Sequence, residues 1–339
     1  MSKKRVTLKY LAEKTGFDIS TISRALRDDS ALTIRPENIE LIKRTARELN
    51  YVPDTAARSL RSARSYSIGA ILPSLQNPIH AQIVEGASRV CRERGYSLII
   101  AYLADPANSR ETIDDLFMRS RVEGLMSLTF REDLRRSAAW KTGAPVMAVN
   151  WWAPGFENSV TLEERPGARL AVEHLLDLGH TRIAHLSGDR RRFNSAERFL
   201  GYEEALAARG LPVDPALIET AGYTYEDGVR AMDALLSRNP GGFTAVFVVS
   251  MLAAAGAIAA LNQRSIRVPD EISVIGFNDG LLARVMSPTL STIAYPLQEL
   301  GYAAAEGMIT LIEGSATAYC KVIGGPCLVR RGSTARRVP

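Results

Sequence analysis

The stretch TLKYLAEKTGFDISTISRAL, residues 7–26, decides how the start of this chain folds. An apolar face at helical spacing begins at Leu8, and Thr7 before it is a good N-cap. Gly16 can end that helix in the left-handed conformation, and Asp18 can cap a second helix two residues later. The stretch therefore predicts two short helices joined by a tight turn.

The second helix carries short polar side chains on the face opposite its apolar residues. These side chains are Ser20, Thr21, Ser23 and Arg24. Short hydroxyls suit phosphates and base edges, and a guanidinium fork suits guanine or phosphate. A third amphipathic helix, from about 36 to 49, can close a small core. The pattern favours a helix-turn-helix DNA-binding domain, with an ordinary surface hairpin of helices as the alternative.

The charge of the chain is concentrated at its start. Residues 1–65 hold 14 Lys and Arg against 8 Asp and Glu, whereas the whole chain of 339 residues has a formal net charge of +5. The remaining residues are therefore close to neutral. A basic N-terminal segment on a near-neutral body is the charge distribution of a phosphate-binding domain, while a generally charged surface would spread its charge evenly.

A short segment after the third helix looks suited to ordering only against a partner. Pro53 ends the preceding helix, and residues 55–60 can be helical but are too short to be stable alone. Ala57 beside the projecting Leu60 suits a DNA minor groove, where apolar side chains wedge between base steps. An ordinary linker is the alternative interpretation.

Motifs along nearly the whole chain resemble the lactose/galactose repressor family of bacterial transcription regulators. The N-terminal motifs are VTLKYLAEKTG, ISTISRAL, ARELNYVPD and AARSLRS within 6–62. The later motifs are IGAILPSLQNP (68–78), GARLAVEHLLDLGHTRIAHLSG (167–188), RVPDEISVIGFND (267–279) and LVRRGST (328–334). The resemblance implies a homodimer on a near-palindromic operator in double-stranded DNA, with recognition helices in the major groove and paired hinge helices in the minor groove.

The resemblance also assigns DNA-binding roles to individual residues. Ile19, Ser20 and Arg24 fall at base-reading positions, and Ala57 and Leu60 at the hinge insertion. The expected contacts to phosphate or backbone are Thr7, Thr21, Ser23 and Tyr51, with Leu8 as a further candidate beside Thr7. Arg27 and Asp54 stand where the family usually has Asn; Arg27 adds a phosphate contact, and Asp54 is interpreted as a helix cap.

The rest of the chain alternates short apolar runs with helical patterns, which is typical of parallel sheets covered on both faces. Strands are expected at 68–72, 97–100, 124–128, 145–149, 182–187, 244–250 and 272–276. Helices are expected from near 77, 109 and 132, and over 166–178, 196–209 and 227–237. About 270 residues exceed one comfortable α/β core, so we expect two lobes, each with a doubly wound parallel sheet.

The predicted organisation has three parts. A helix-turn-helix DNA-binding domain takes 1–52, a hinge helix and linker 53–65, and an effector-binding and dimerisation domain 66–339. The strand at 290–293 and the helix at 297–313 are expected to return to the first lobe. Lobe one then takes about 66–160 and 295–325, and lobe two about 161–294, as in the periplasmic sugar-binding fold that the family's body resembles.

Candidate effector residues follow the carboxyl ends of the predicted strands, where ligands bind in such folds. Arg198 matches the effector-binding arginine of the family, and its fork can hold two ligand oxygens. The other candidates are His80, Trp151, Arg192, Asn194, Tyr223, Ser250 and Asn278. For His80, Trp151 and Tyr223, a core or rim side chain is an equally good interpretation.

Several departures from the family leave the ligand open. Ser250-Met251 stands where many relatives have Asn-Asp, and Asn278-Asp279 replaces the commoner Asp-Asp. A lost carboxylate removes an acceptor of two hydroxyl hydrogens, which weakens the case for a simple monosaccharide. The arginine run at 190–192 could suit a phosphorylated or acidic sugar, although a solvated loop is the preferred interpretation.

Catalysis has little support in the sequence. The four histidines have no metal-ligand spacing and no nucleophile motif beside them, and no phosphate-binding glycine loop follows a strand. The three cysteines are too few for a disulfide framework, which fits a reducing cytoplasm. No signal segment and no run of 18 apolar residues is present. We therefore expect no catalytic residue, metal or cofactor, and no membrane partner.

The leading hypothesis is a cytoplasmic, DNA-binding transcriptional repressor of carbohydrate-uptake or catabolism genes. Its operator affinity would be switched by a sugar or sugar derivative bound between the lobes. A purine-type repressor that needs a corepressor is the main alternative, because the sign of the switch is open. A transport-type sugar-binding protein and a sugar-converting enzyme are weaker alternatives.

Overall fold

The computed structural model divides the chain into two compact units, Met1–Ser65 and Tyr66–Pro339. The residues that it describes are 6–26, 32–51, 64–103, 109–130 and 132–337. The predicted hinge residues Ala57 and Leu60, together with Arg27, lie outside this described part of the chain.

The first unit contains the predicted three-helix head. Its helices are α1 (Leu8–Thr15), α2 (Ile19–Ala25) and α3 (Pro36–Glu48). The Thr7 hydroxyl accepts the N–H of Tyr10 at 3.2 Å, Gly16 ends α1 with φ 75°, and Asp18 caps α2 by accepting the N–H of Thr21 at 2.9 Å. The buried side chains of the head are Leu11, Ile22, Ala25, Ile42 and Ala46. The helix-turn-helix prediction is confirmed.

The first lobe of the second unit is built on a six-stranded parallel sheet. Its strands are β1 (Ser67–Leu72), β2 (Ser97–Tyr102), β3 (Gly124–Ser127), β4 (Val146–Val149), β5 (Ser159–Leu162) and β11 (Cys320–Ile323). They lie in the order β11-β5-β4-β3-β1-β2. The helices of this lobe are α4 (Pro78–Glu93), α5 (Ser109–Arg119), α6 (Asp133–Arg136), α7 (Ala138–Lys141) and α13 (Leu297–Ile312).

The second lobe repeats this plan. Its strands are β6 (Ile183–Ser187), β7 (Ile218–Thr220), β8 (Ala245–Val248), β9 (Ser273–Phe277), β10 (Ser291–Ala294) and β12 (Cys327–Val329). They lie in the order β12-β10-β9-β8-β6-β7, and only β12 runs antiparallel to its neighbour. The helices are α8 (Glu164–Asp177), α9 (Phe193–Ala207), α10 (Tyr225–Arg238), α11 (Met251–Gln263) and α12 (Leu281–Val285), with a 3-10 turn at Pro215–Leu217. The predicted fold of two doubly wound parallel sheets is confirmed.

The chain passes between the lobes three times, after β5, after β10 and after β11. The prediction for residues 290–293 was wrong in one respect. Strand β10 pairs with β9, from Ser291 opposite Ile275 to Ile293 opposite Phe277, so it completes the second sheet. The return to the first lobe begins only with helix α13, which packs on α4.

Four strands of the structure have no counterpart among the sequence predictions. They are β5, β7, β11 and β12. Three of them, β7, β11 and β12, are edge strands of three or four residues, and β11 is mostly exposed. Such strands carry no continuous apolar run, so hydrophobic periodicity does not reveal them.

Each lobe contains a helix pair that crosses at reciprocal glycines. A Cβ added to Gly86 on α4 would overlap the carbonyl oxygen of Gln298, and one added to Gly301 on α13 would overlap that of Ile83. In the second lobe, Gly228 on α10 and Gly256 on α11 make the same reciprocal approach. The backbones of both helix pairs are therefore in direct contact.

No helix in the described part of the chain combines the length and the apolar character needed to span a bilayer.

Candidate functional site

Helix α2 presents a polar face above its buried residues. Ile19 is 41% exposed and Ser20 is exposed, whereas Ile22 and Ala25 are buried in the head core. Thr21, Ser23 and Arg24 are half-buried, and the Thr21 hydroxyl donates to Asp18 Oδ2 at 2.5 Å. The predicted base-reading side chains thus share one helix face at the surface of the head.

The remaining predicted DNA contacts in the head have different settings. Thr7 is exposed and caps α1, and its hydroxyl can still donate to a phosphate while it accepts from Tyr10. Leu8 and Tyr51 are half-buried and pack against the head core. These two residues therefore contribute to the packing of the head.

Arg198 is a buried charged residue of the second lobe. It lies on α9, and it is only 2% exposed. Its Nε donates to Glu164 Oε2 at 2.7 Å and its Nη1 to the carbonyl oxygen of Val249 at 2.5 Å. The guanidinium carbon lies 3.9 Å from the ring centroid of Phe277. Two nitrogens of the guanidinium are thus already bound within the protein.

Glu164, which was not among the predicted effector residues, joins Arg198 to Asn194. Its side chain is fully buried, and Glu164 Oε1 accepts from Asn194 Nδ2 at 2.7 Å. Burial raises the pKa of Glu164, and the hydrogen bonds from Arg198 and Asn194 oppose that shift. In sequence, Glu164 follows Glu163 at a helix start, where acidic residues are common and usually solvated, so no signal marked it.

Tyr223 and Ser250 belong to the same edge of the second sheet. The Tyr223 hydroxyl lies 2.5 Å from the Ser195 hydroxyl, and Ser250 Oγ donates to the Tyr223 carbonyl oxygen at 3.3 Å. Ser250 also caps α11 and directly follows Val249, which accepts from Arg198. The structure therefore brings together Asn194, Arg198, Tyr223 and Ser250, all of them sequence candidates.

The arginine run at 190–192 does not converge on this cluster. Arg190 lies over the Phe199 ring at 4.4 Å, and Arg191 pairs with Asp189 at 2.9 Å. Arg192 lies 5.0 Å from the ring centroid of Phe130 and donates to the Phe130 carbonyl oxygen at 3.4 Å. Arg192 Nε also lies 4.0 Å from Asp189 Oδ2, so two of the three cations share the Asp189 carboxylate while the third lies on Phe199, as expected for a solvated loop.

Contacts between the lobes come from the loops that follow the strands. Arg192 of the second lobe meets Phe130 of the first, and the rings of Trp152 and Phe193 lie 6.3 Å apart. On the other side, Gln82 Nε2 donates to the Asp279 carbonyl oxygen at 3.1 Å. The carboxyl edges of the two sheets therefore face each other across a cleft.

Trp151 of the first lobe is buried rather than presented to a ligand. The Trp151 ring packs against Phe130 and Phe156, and its indole N–H donates to the Ser127 carbonyl oxygen at 2.7 Å. This placement corrects the expectation that Trp151 offers a stacking face; the neighbouring Trp152 is 44% exposed.

His80 is also buried, in the first turn of α4. Its Nδ1 lies 2.6 Å from the Ser74 carbonyl oxygen, and desolvation lowers its pKa. A histidine that is neutral at pH 7 keeps its second ring nitrogen available for one hydrogen bond. His80 is thus a neutral hydrogen-bonding group of the first lobe.

Asn150 and Asn278 occupy equivalent positions in the two lobes. Each directly follows the fourth strand of its lobe, β4 or β9, and has a positive φ, 61° and 67°. In the described part of the chain, the Oδ1 atom of each is buried without a hydrogen-bond donor. Such an oxygen is costly to leave unsatisfied, which points to a donor supplied from outside the chain. Asn150 was missed, although its position after the strand at 145–149 marks it.

A row of aromatic rings lies beneath Arg198 on the second sheet. His185 stacks on Phe247 at 4.7 Å, Phe247 lies 6.1 Å from Phe277, and Phe277 lies 5.5 Å from Tyr295. His185 Nδ1 is 2.9 Å from the Phe247 carbonyl oxygen, and burial lowers the pKa of His185 to about 4. His185 is therefore neutral at pH 7.

The buried His185 should make the second unit sensitive to acid. An unfolded histidine titrates near 6.5, so the folded state binds fewer protons below that pH and loses stability down to about pH 4. We expect this group alone to lower the free energy of unfolding by about 3 kcal/mol across that window. His185→Phe should remove this share in urea titrations between pH 7.5 and 4. An unchanged pH dependence in the variant would contradict the assignment.

No group of three or more His, Cys, Asp or Glu residues that could hold a metal ion was found within the described ranges.

Comparisons with known proteins agree with this arrangement. A family model described as a periplasmic binding protein-like domain matches residues 172–334. The chain is 32% identical over 336 residues to the ribose operon repressor of Escherichia coli strain K12, covering 96% of this chain and 99% of the relative. Among solved structures, the lac repressor dimer bound to operator and the anti-inducer ONPF superposes with a TM-score of 0.77, at 26% identity over 98% of this chain and 100% of that one.

A complex of the transcriptional regulator CelR with cellobiose superposes with a TM-score of 0.74, at 27% identity over 97% of this chain and 100% of that one. The similarity to regulators extends over the head and both lobes, and the relatives are repressors rather than enzymes. The three-helix head, the two-lobed body and these full-length similarities show that the chain belongs to the lactose/galactose repressor (LacI) family of transcription regulators.

Proposed function

We propose that this protein is a homodimeric repressor that binds a near-palindromic operator. Its affinity for the operator falls or rises when a small effector binds in the cleft. The observation that carries the proposal is the exposed face of α2, with Ile19 and Ser20 at the surface and Ile22 buried beneath. A helix of this kind can enter a major groove. The lac repressor, which superposes over the whole chain, was solved as a dimer on its operator.

The proposed effector is a sugar or sugar derivative from the pathway that the regulated genes encode. Its contacts would come from both lobes, since polar groups of each face the cleft. The proposed contacts are His80, Asn150, Arg192, Asn194, Arg198, Tyr223, Ser250 and Asn278, with Trp152 as the exposed aromatic. The ribose operon repressor and the CelR complex with cellobiose support a carbohydrate.

The coupling between effector and operator would run through closure of the lobes. Arg192 with Phe130 and Gln82 with Asp279 are contacts between the two lobes, so a change in the lobe arrangement would alter them. An effector that favours one lobe arrangement shifts the equilibrium by its difference in affinity for the two arrangements. Ala57 and Leu60 are proposed to carry that change to the minor groove. The protein would work in the bacterial cytoplasm, on the nucleoid.

Arg24→Ala is expected to lower operator affinity about 10- to 100-fold, because a guanidinium contact to a base edge contributes about 1–3 kcal/mol. The measurement is fluorescence anisotropy with duplex DNA from the region upstream of the gene itself. Arg47→Ala on α3 is the matched control, because it removes the same charge from a side chain that pairs with Glu40 at 2.6 Å. Equal losses in both variants would indicate general electrostatic attraction instead of recognition by α2.

A further inference from the structure

We propose that Glu164 is a positioning residue that cancels the charge of Arg198, so that the cleft selects an uncharged polyhydroxyl effector over a phosphorylated or acidic one. This inference rests on the proposed role of the cleft in effector binding, and it names the chemical class of the ligand. An arginine in a cleft can bind either a sugar or a sugar phosphate, and the charge of its surroundings decides between these two classes.

The side-on edge of the Arg198 guanidinium is already occupied within the protein. A side-on pair of hydrogen bonds to a carboxylate or phosphate uses Nε together with an Nη atom. Arg198 Nε already donates to Glu164, and Nη1 donates to Val249. Phe277 covers one face of the guanidinium. Nη2 has no acceptor among the described residues and Nη1 keeps a second N–H, so only the end of the guanidinium is open to a ligand, while the edge that includes Nε is closed.

Glu164 also cancels the charge of Arg198. Burial alone raises the pKa of Glu164, but the charge of Arg198 and the hydrogen bonds that both carboxylate oxygens accept, one from Arg198 and one from Asn194, oppose that rise. Because the guanidinium of Arg198 stays charged, the pair holds the carboxylate in its ionised form. The two opposite charges lie 2.7 Å apart with almost no exposure to water. An anion entering beside this pair would lose its hydration without meeting a net positive charge.

The nearby arginines do not replace the positive charge of Arg198 that Glu164 cancels. Arg191 pairs with Asp189, while Arg190 and Arg192 lie on the rings of Phe199 and Phe130. These side chains lie on an exposed loop, and Arg192 also lies 4.0 Å from Asp189, so this carboxylate offsets part of the charge of the run. A phosphate site would need several of these donors to converge on one point.

Two buried groups that follow strands at the cleft, one from each lobe, are unsatisfied acceptors. Asn150 Oδ1 and Asn278 Oδ1 are buried without a donor in the described part of the chain. A ligand hydroxyl can donate to such an oxygen, whereas a fully ionised phosphate or carboxylate cannot. Acceptors from both lobes, together with the remaining N–H groups of Arg198, fit a molecule with several hydroxyl groups.

The experiment compares wild type with Glu164→Gln, which keeps the size of the side chain and removes its charge. The probes are inorganic phosphate, ribose, ribose 5-phosphate, glucose and glucose 6-phosphate, at constant ionic strength. Binding is followed by thermal unfolding and by calorimetry. We expect no saturable response of wild type to phosphate or to either ester. Glu164→Gln should gain saturable phosphate binding at least about 10-fold tighter than any in wild type, because its buried guanidinium is no longer neutralised.

Two further variants show whether the phosphate binding gained by Glu164→Gln depends on the pair of Glu164 and Arg198. Glu164→Asp keeps the charge and should not bind phosphate, while the double variant E164Q/R198Q should lose the gain. If Glu164 had only a structural role, Glu164→Gln would lower the stability of the protein without creating an anion site. The proposal is overturned if wild type prefers an ester to its parent sugar, or if folded Glu164→Gln binds no phosphate. If Glu164→Gln does not fold, the preference of wild type between ester and parent sugar decides.

Operator binding is measured separately, by anisotropy without any ligand. Failure of the chain to bind DNA would overturn the proposed function and leave the charge selectivity of the cleft as measured. Normal DNA binding with a preference for sugar phosphates would overturn only the role of Glu164.

Discussion

Glu164→Leu is expected to lower the free energy of unfolding of the second unit by about 3–5 kcal/mol, the cost of breaking a buried ion pair by removing one partner. The variant leaves Arg198 buried, with its Nε donor unsatisfied and its charge unpaired. A guanidinium cannot escape this penalty by losing its proton, because its pKa lies far above neutral. Asn194 loses its acceptor at the same time.

The reverse change, Arg198→Leu, should cost less and should depend on pH. Without Arg198, burial raises the pKa of Glu164 further, and the carboxyl group can take up a proton. A folded state that binds more protons than the unfolded one gains stability as pH falls. The penalty of Arg198→Leu should therefore shrink between pH 8 and pH 5, while that of Glu164→Leu should persist throughout this range.

Urea unfolding of both variants and of the double variant E164L/R198L measures these differences. The double variant should recover part of the loss, because no charge is left unpaired. If Glu164→Leu cost less than about 1 kcal/mol, the range of an exposed ion pair, water would have to reach the pair and the buried network would be wrong.

Gly301→Ala is the second large effect: we expect it to lower the free energy of unfolding by about 4 kcal/mol, beyond the ~1–3 kcal/mol typical of overpacked cores. A Cβ at this position meets the backbone of Ile83 rather than the end of a flexible side chain. Helices α4 and α13 must then separate, and buried side chains along their contact lose their packing. The better helix propensity of alanine, about 1 kcal/mol, does not offset this.

Ser88→Ala is the matched control for this prediction. Ser88 is an exposed residue near Gly86 on α4, so the added helix propensity comes without a clash. Thermal and urea unfolding should show little change for Ser88→Ala and a large loss for Gly301→Ala. If Gly301→Ala were as stable as wild type, the two helices would have to lie farther apart than the structure places them.

The head was almost fully predictable because its determinants are local. The Thr7 cap, the left-handed Gly16 and the Asp18 cap act within a few residues of themselves, and the structure shows all three. The alternation of strands and helices in the body was visible for the same reason: a buried parallel strand reads as a short apolar run. The edge strands β7, β11 and β12 lack that run and were missed.

The cleft was only partly predictable, because its residues meet through contacts between distant segments. Arg198 was found by resemblance, but its partner Glu164 lies 34 residues earlier and looks like any acid at a helix start. Trp151 and Trp152 are adjacent in the chain. One is buried and hydrogen-bonded, and the other is exposed, and only packing against Phe130 and Phe156 distinguishes them.

The amino-acid sequence alone thus establishes a basic helix-turn-helix head, a two-lobed α/β body and membership of a class of regulators, since caps, periodicity and motif order are properties of short segments. The charge that the cleft presents to a ligand is not determined by short segments. Whether Arg198 acts as a cation or as a neutralised donor depends on a carboxylate brought to 2.7 Å by the packing of α8 against α9. Electrostatic energy depends on distance and burial, which exist only after the chain has folded.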